Sequence, residues 1–109
     1  MSYINSILWK IKDCYGVYIG IQSVYRLAMF LGGFQSAVYE IAGEHCSVFS
    51  EFQLFVEKKF GLEFSSKHWS DILSMNTHSP SEAFELFFVC WEECFSICLQ
   101  DVKKLESTD

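Results

Sequence analysis

Side chains able to do covalent or metal chemistry are few in this sequence, and they are scattered. The three histidines are His45, His68 and His78; the five cysteines are Cys14, Cys46, Cys90, Cys94 and Cys98. His45 and Cys46 are chain neighbours, which does not place two ligands on one helix face, and no HExxH or repeated Cys/His spacing occurs. Cys46 with His68 or His78 is the nucleophilic pairing the sequence offers. A reactive thiolate needs an electropositive setting, and the surroundings here are acidic, so catalysis is not expected. Cys90, Cys94 and Cys98 fall four apart in an apolar segment, a spacing that suits one helix face. Three thiolates on one helix cannot surround an ion tetrahedrally unaided, and buried free cysteine behaves as a small hydrophobe. Neither a metal nor a cofactor is expected.

Gly16 and Gly20 bracket a short apolar run that is not GxGxxG, and a Walker-type Gly-Lys-Ser is missing. That run reads as a tight extended link between two helices. The acids carry more information. Glu82, Glu85, Glu92 and Glu93 share one strip of a helix, and Glu40 and Glu44 stand at i, i+4 spacing. Like charges so placed destabilise a helix by a few tenths of a kcal/mol. They are tolerated when solvated and become useful when a cationic partner docks. A paired-carboxylate hydrolase would instead need two acids in a cleft with separated pKa values.

The balance of the chain agrees with a surface function. Over 109 residues the formal net charge is −6, and half of the residues are hydrophobic, among them eleven Phe, five Tyr and three Trp. That length suits one domain, residues 1–109, with ample core material. Eight Lys and Arg, scattered or paired with acids, make no nucleic-acid footprint. An odd number of cysteines without a framework, and no signal-peptide pattern, point to reduced thiols in a cytoplasm. The apolar run from Ala83 to Leu99 carries Glu85, Glu92 and Glu93. A charge at a bilayer centre costs at least ~2.5 kcal/mol, so no membrane span is expected.

These residues need elements to hold them, and the hydrophobic period is helical nearly throughout. A first helix is expected over Tyr3–Asp13, capped by Ser2, with Ile4, Ile7, Leu8 and Ile11 inward. A second should run from Ser23 to Gly43 on a stripe of Val24, Leu27, Leu31, Phe34, Val38 and Ile41. Gly32 and Gly33 inside it predict a close crossing or a kink. Ser50 and Gln53 read as a capping box opening a third helix, with Phe49 stapled to Leu54 and an end at Gly61–Leu62. A short fourth helix follows Ser66, carrying Trp69, Ile72 and Leu73. Ser79, Pro80 and Glu82 open a fifth, expected to reach Leu105 and to form the hub of the core.

Several blocks resemble a known family. They are Gly16-Val-Tyr-Ile-Gly20 with Ser23, Leu27, Phe30-Leu31 and Gly33; Phe52-Gln-Leu-Phe-Val-Glu-Lys-Lys-Phe-Gly61; Trp69 with Ile72-Leu73; and Ser81-Glu-Ala-Phe with Phe87-Phe88. In this order and spacing the chain resembles small bacterial immunity proteins encoded beside polymorphic or contact-dependent growth-inhibition toxins. The resemblance spans about residues 14 to 95. It implies a cytosolic binder of a cognate toxin domain, commonly a nuclease, with no catalysis of its own. The shared blocks are core and turn positions, so no toxin-contact residue transfers with them.

The expectation is therefore an all-α bundle of about five helices with a central C-terminal helix. It would bind a basic toxin domain one-to-one, a ribonuclease ahead of a deoxyribonuclease, without touching nucleic acid or membrane. Glu82, Glu85, Glu92 and Glu93 are the expected contacts. A Cys46/His enzyme and an adaptor that dimerises along the second helix's stripe are the rival readings.

Overall fold

Helices account for every regular element in the computed structural model, which describes residues 2–62 and 66–106. Among the described residues there are seven helices and no strand, so the expected all-α class holds while the helix count rises from about five. The first, α1 (Ser2–Asp13), buries Ile4, Leu8 and Ile11, the face its period predicts. The expected Ser2 cap falls on a side chain outside those described.

The glycine-bracketed link is not extended. Its first half forms a single helical turn, α2 (Tyr15–Tyr18), and the chain then reverses at Gly20, whose φ is +87°. The Arg26 guanidinium donates to the Ile19 carbonyl at 3.1 Å, and a Cβ on Gly20 would lie 2.9 Å from that same nitrogen. The glycine is thus needed for backbone geometry and for close approach of the arginine.

Helix α3 (Val24–Ala42) begins at Ser23, whose hydroxyl accepts from the Arg26 amide, and ends at Gly43 in the left-handed conformation. Both ends match the sequence reading. Its interior does not. Gly32 and Gly33 are exposed, with nothing within 4 Å of a Cβ built on either, so no helix crosses there. Only Val24, Leu27 and Leu31 of the stripe are buried; beyond Leu31 no residue of α3 is.

Helix α4 (Val48–Lys59) starts a turn earlier than the expected capping box. The amides of Ser50 and Glu51 already donate to the Ser47 carbonyl, at 3.0 and 3.2 Å. Early initiation carries Phe49 into the core against Trp91, ring centroids 5.4 Å apart, and leaves its expected staple partner Leu54 66% exposed. Gln53 is recruited elsewhere: its carbonyl accepts from the Trp69 amide and its NH2 donates to Glu57 and to the Lys67 carbonyl, each at 2.8 Å. The end is as predicted, with Gly61 left-handed and the Leu62 amide on the Glu57 carbonyl at 2.8 Å.

Trp69, Ile72 and Leu73 are buried from α5 (Trp69–Met75), which is capped by His68 rather than by a serine. Helix α6 (Pro80–Phe95) starts at Ser79 and Pro80 as expected and packs on α3, α4 and α5. It is the hub, burying Ala83, Phe84, Phe87, Phe88, Cys90 and Trp91. Trp91 touches the rings of Phe49, Phe52, Phe87 and Phe95, and its indole N–H donates to Asn5 of α1 at 2.9 Å in the buried interior. Burial of these rings, with the aliphatic side chains around them, favours collapse at about 25 cal/mol per Å² of apolar area.

The expected continuation of this helix to Leu105 is corrected. Ser96 adopts φ +52°, and the chain turns back as α7 (Leu99–Glu106), which packs on α1. The physical reason is end-satisfaction. The Ser96 and Ile97 amides close on the Glu92 carbonyl, while the Glu92 carboxylate accepts from the Leu99 amide at 2.7 Å. Turning back also buries Leu99 and lets Lys103 pair with Asp13.

Candidate interaction surfaces

The fold separates the reactive side chains. Cys46 is half-buried in the α3–α4 loop with Sγ 3.9 Å from the Tyr3 hydroxyl. That hydroxyl also reaches Glu44 at 3.4 Å; the thiol first, then loss of solvent and the carboxylate, raise its pKa. His45 lies on the Tyr39 ring, centroids 4.7 Å apart. His68 spends Nδ1 on the Ser70 amide, 3.2 Å, and hydroxyl, 2.8 Å, and its ring rests on Trp69. Burial lowers its pKa, so the neutral ring, with Nδ1 free to accept, is the favoured cap. His78 is exposed before α6. Among the described residues neither His68 nor His78 hydrogen-bonds Cys46, and no three His, Cys, Asp or Glu converge as metal ligands.

The thiol stripe is likewise divided. Cys90 is buried and desolvation pushes its thiol up to about 11; Cys94 is half-buried and raised for the same reason. Cys98 lies past the break at Ser96 and is exposed.

The four acids expected as contacts stay along one side of α6, but they differ in freedom. Glu82 accepts from the His78 amide at 2.7 Å and so helps cap its own helix. Glu92 holds the α6–α7 joint and stands 3.8 Å from Lys12. Glu93 pairs with Lys59 of α4 at 2.9 Å, which raises the lysine's pKa. Glu85 is exposed and makes no hydrogen bond or ion pair among the described residues. It borders a recess of about 330 Å³ with Lys12, Gln22, Phe84, Phe88 and Val89; Val89 is itself 56% exposed. One free acid beside an open apolar residue is thus what remains of the strip as a ready contact.

A second surface lies on the far half of α3. Phe34, Ala37, Val38 and Ile41 line, with Tyr3 and Glu44, an apolar groove of about 360 Å³. Ile41 is 86% exposed. On the adjoining face Tyr39, Glu40, His45 and Cys46 border a smaller recess of about 240 Å³ that shares Glu44. Because α3 ends at Gly43, Glu44 lies off the helix and the expected i, i+4 helical pair with Glu40 is not formed. The periodic stripe of α3 gave no warning that its second half lacks a partner. A different signal was present: from Leu27 to Glu57 the chain holds Glu40, Glu44, Glu51 and Glu57 but no Lys or Arg.

No family model, no curated protein and no solved structure matches the chain.

Proposed function

We propose that this chain is an immunity protein: it binds a basic toxin domain one-to-one and covers the cationic surface that the toxin, a nuclease, needs for its phosphate substrate. The single observation that carries the reading is the imbalance of free charge. Lys12, Lys59 and Lys103 pair with Glu92, Glu93 and Asp13, and the ammonium groups of Lys10 and Lys58 make no ion pair among the described residues. The residues Glu40, Glu51, Glu85 and Asp101 are exposed, and their carboxylates make no hydrogen bond or ion pair among the described residues. Internal pairing removes acids and bases in equal number, so the net charge of −6 persists and the outward field is negative. Such a field speeds encounter with a cationic partner and repels nucleic acid. The order and spacing of the family-like blocks support the same reading. Inhibition then needs no bond-making chemistry, only a preformed shape and a charged face.

Among the described residues no helix is long and apolar enough to cross a membrane.

The test is co-expression with the C-terminal toxin domain encoded beside this gene. Growth should be restored, and the purified complex should have one-to-one mass. Glu85→Lys should weaken the complex about tenfold, one lost attraction plus one new repulsion. Its affinity should also fall less steeply with salt than that of the unsubstituted chain. Continued killing, or a complex indifferent to salt, refutes the proposal.

A further inference from the structure

We infer that the exposed second half of α3 is the docking groove for the partner's anchor, an apolar side chain flanked by lysine or arginine on a basic protein segment. This rests on the reading of the chain as a binder of a basic protein and says where on the molecule that binding is centred.

Three observations support it. First, α3 is 19 residues long, yet its buried positions stop at Leu31. The remaining turns continue the same apolar row through Phe34, Val38 and Ile41, and among the described residues no helix buries it. Contiguous exposed apolar surface of this kind marks contact sites. Second, the floor is partly fixed in advance. Phe34 is held between Phe30 and Tyr3, ring centroids 6.5 and 6.2 Å away, so a partner meets an ordered aromatic wall. Pre-ordering reduces the entropy lost on association.

Third, the rim has one sign. Glu44 lines the groove, and Glu40 follows Ala37 by one helical turn. Among the described residues no Lys or Arg borders the groove or its adjoining recess. Charge decides between occupants. A second copy packed groove to groove would bring Glu40 and Glu44 against their own counterparts around a desolvated centre. Like charges so placed oppose association. A basic segment turns the same two carboxylates into complementary contacts, while Ile41 and Val38 exclude water around its apolar anchor. That division, an apolar centre ringed by charge, is the usual anatomy of a protein interface.

The probe is a synthetic amphipathic helix with one leucine stripe flanked by lysines, titrated into the isotope-labelled chain and followed by amide chemical shifts. A matched peptide with glutamates for lysines is the control. The proposal expects shifts centred on Phe34, Val38, Ile41 and Glu44 with the lysine peptide and none with the control. Val38→Ser/Ile41→Ser and, separately, Glu40→Gln/Glu44→Gln should each weaken binding at least about tenfold. All four positions are exposed or half-buried, and an unchanged melting temperature verifies that the variants are folded.

Shifts centred on Glu85 and Val89, lost in Glu85→Lys, overturn the groove while leaving the proposed function standing. No binding of either peptide overturns the groove. If the toxin test also fails, the proposed function falls separately. A concentration-dependent dimer abolished by Ile41→Ser assigns the groove to a second copy and overturns the proposal as well.

Discussion

Replacing Glu92 separates an architectural carboxylate from a partner contact. In the fold this side chain accepts from the Leu99 amide at 2.7 Å and lies 3.8 Å from the Lys12 ammonium, with about a quarter of its surface exposed (24%). A hydrogen bond from a backbone amide to a charged acceptor contributes about 1.5–3 kcal/mol, and cap removal costs about 0.5–2 kcal/mol. Both describe the same contact here, and partial exposure favours about 1.5 kcal/mol. The Lys12 pair is longer, and Lys12 is half-exposed (47%), so it adds no more than about 0.5 kcal/mol. Glu92→Ala should then cost about 2 kcal/mol, a fall in melting temperature of about 8–10 °C for a chain this short. Glu92→Gln keeps an acceptor and should lose about half as much. Lys12→Met should be nearly silent. Urea unfolding followed by circular dichroism measures the stabilities. Amide exchange at Leu99 reports the joint directly, and should quicken in Glu92→Ala before the α6 core amides do. If Glu92→Ala melts like the unsubstituted chain with Leu99 exchange unchanged, the carboxylate does not hold the α6–α7 turn. Glu92 would then be as free as Glu85 to meet a partner.

Asn5→Ala should cost about 1–3 kcal/mol in guanidinium unfolding, because it leaves the buried Trp91 N–H without an acceptor; a loss below about 0.5 kcal/mol would refute that role. His68 has a lowered folded-state pKa, so the unfolded chain binds the proton more readily. Stability is then fully present above the unfolded value of 6.5 and declines as pH falls below it toward the folded pKa. His68→Asn, which can still cap α5, should flatten that slope; urea midpoints measured across it decide the matter. Gly33→Ala should stabilise by about 0.5–1 kcal/mol, since its helical site is open, whereas Gly20→Ala should destabilise by about 1–2 kcal/mol through its positive φ and the Arg26 contact. Thermal melts that rank the two alanines the other way would overturn the backbone argument.

Local chemistry explains which expectations survived. Ser23, Gly43, Gly61, Ser79 and Pro80 act within a few residues of themselves, so their helix ends were legible from neighbours alone. The capping box at Ser50 failed because Gln53, which could bond back locally, found the Trp69 amide sixteen residues away. The long last helix failed for a similar reason. Nothing between Pro80 and Leu105 forbids a helix, but Glu92 can satisfy the amides of a turn, and α1 offers α7 a surface to cover. Of the candidate contacts, the sequence placed four acids on one side of a helix. It carried no trace of Lys59, Lys12 or the Leu99 amide lying within reach of two of them.

By itself the sequence determined a helical, aromatic-cored, anionic chain, because periodicity, composition and net charge are sums over residues that no packing arrangement alters. The tertiary structure decided which charges are spent and which apolar positions stay open. Glu93 and Glu85 are the same residue type on one side of one helix, yet among the described residues only Glu93 forms an ion pair with a lysine. Leu31 and Ile41 belong to one stripe, yet only Leu31 is covered. Pairing and burial depend on what another segment brings within a few ångströms, and that is a property of the folded arrangement rather than of any residue in it.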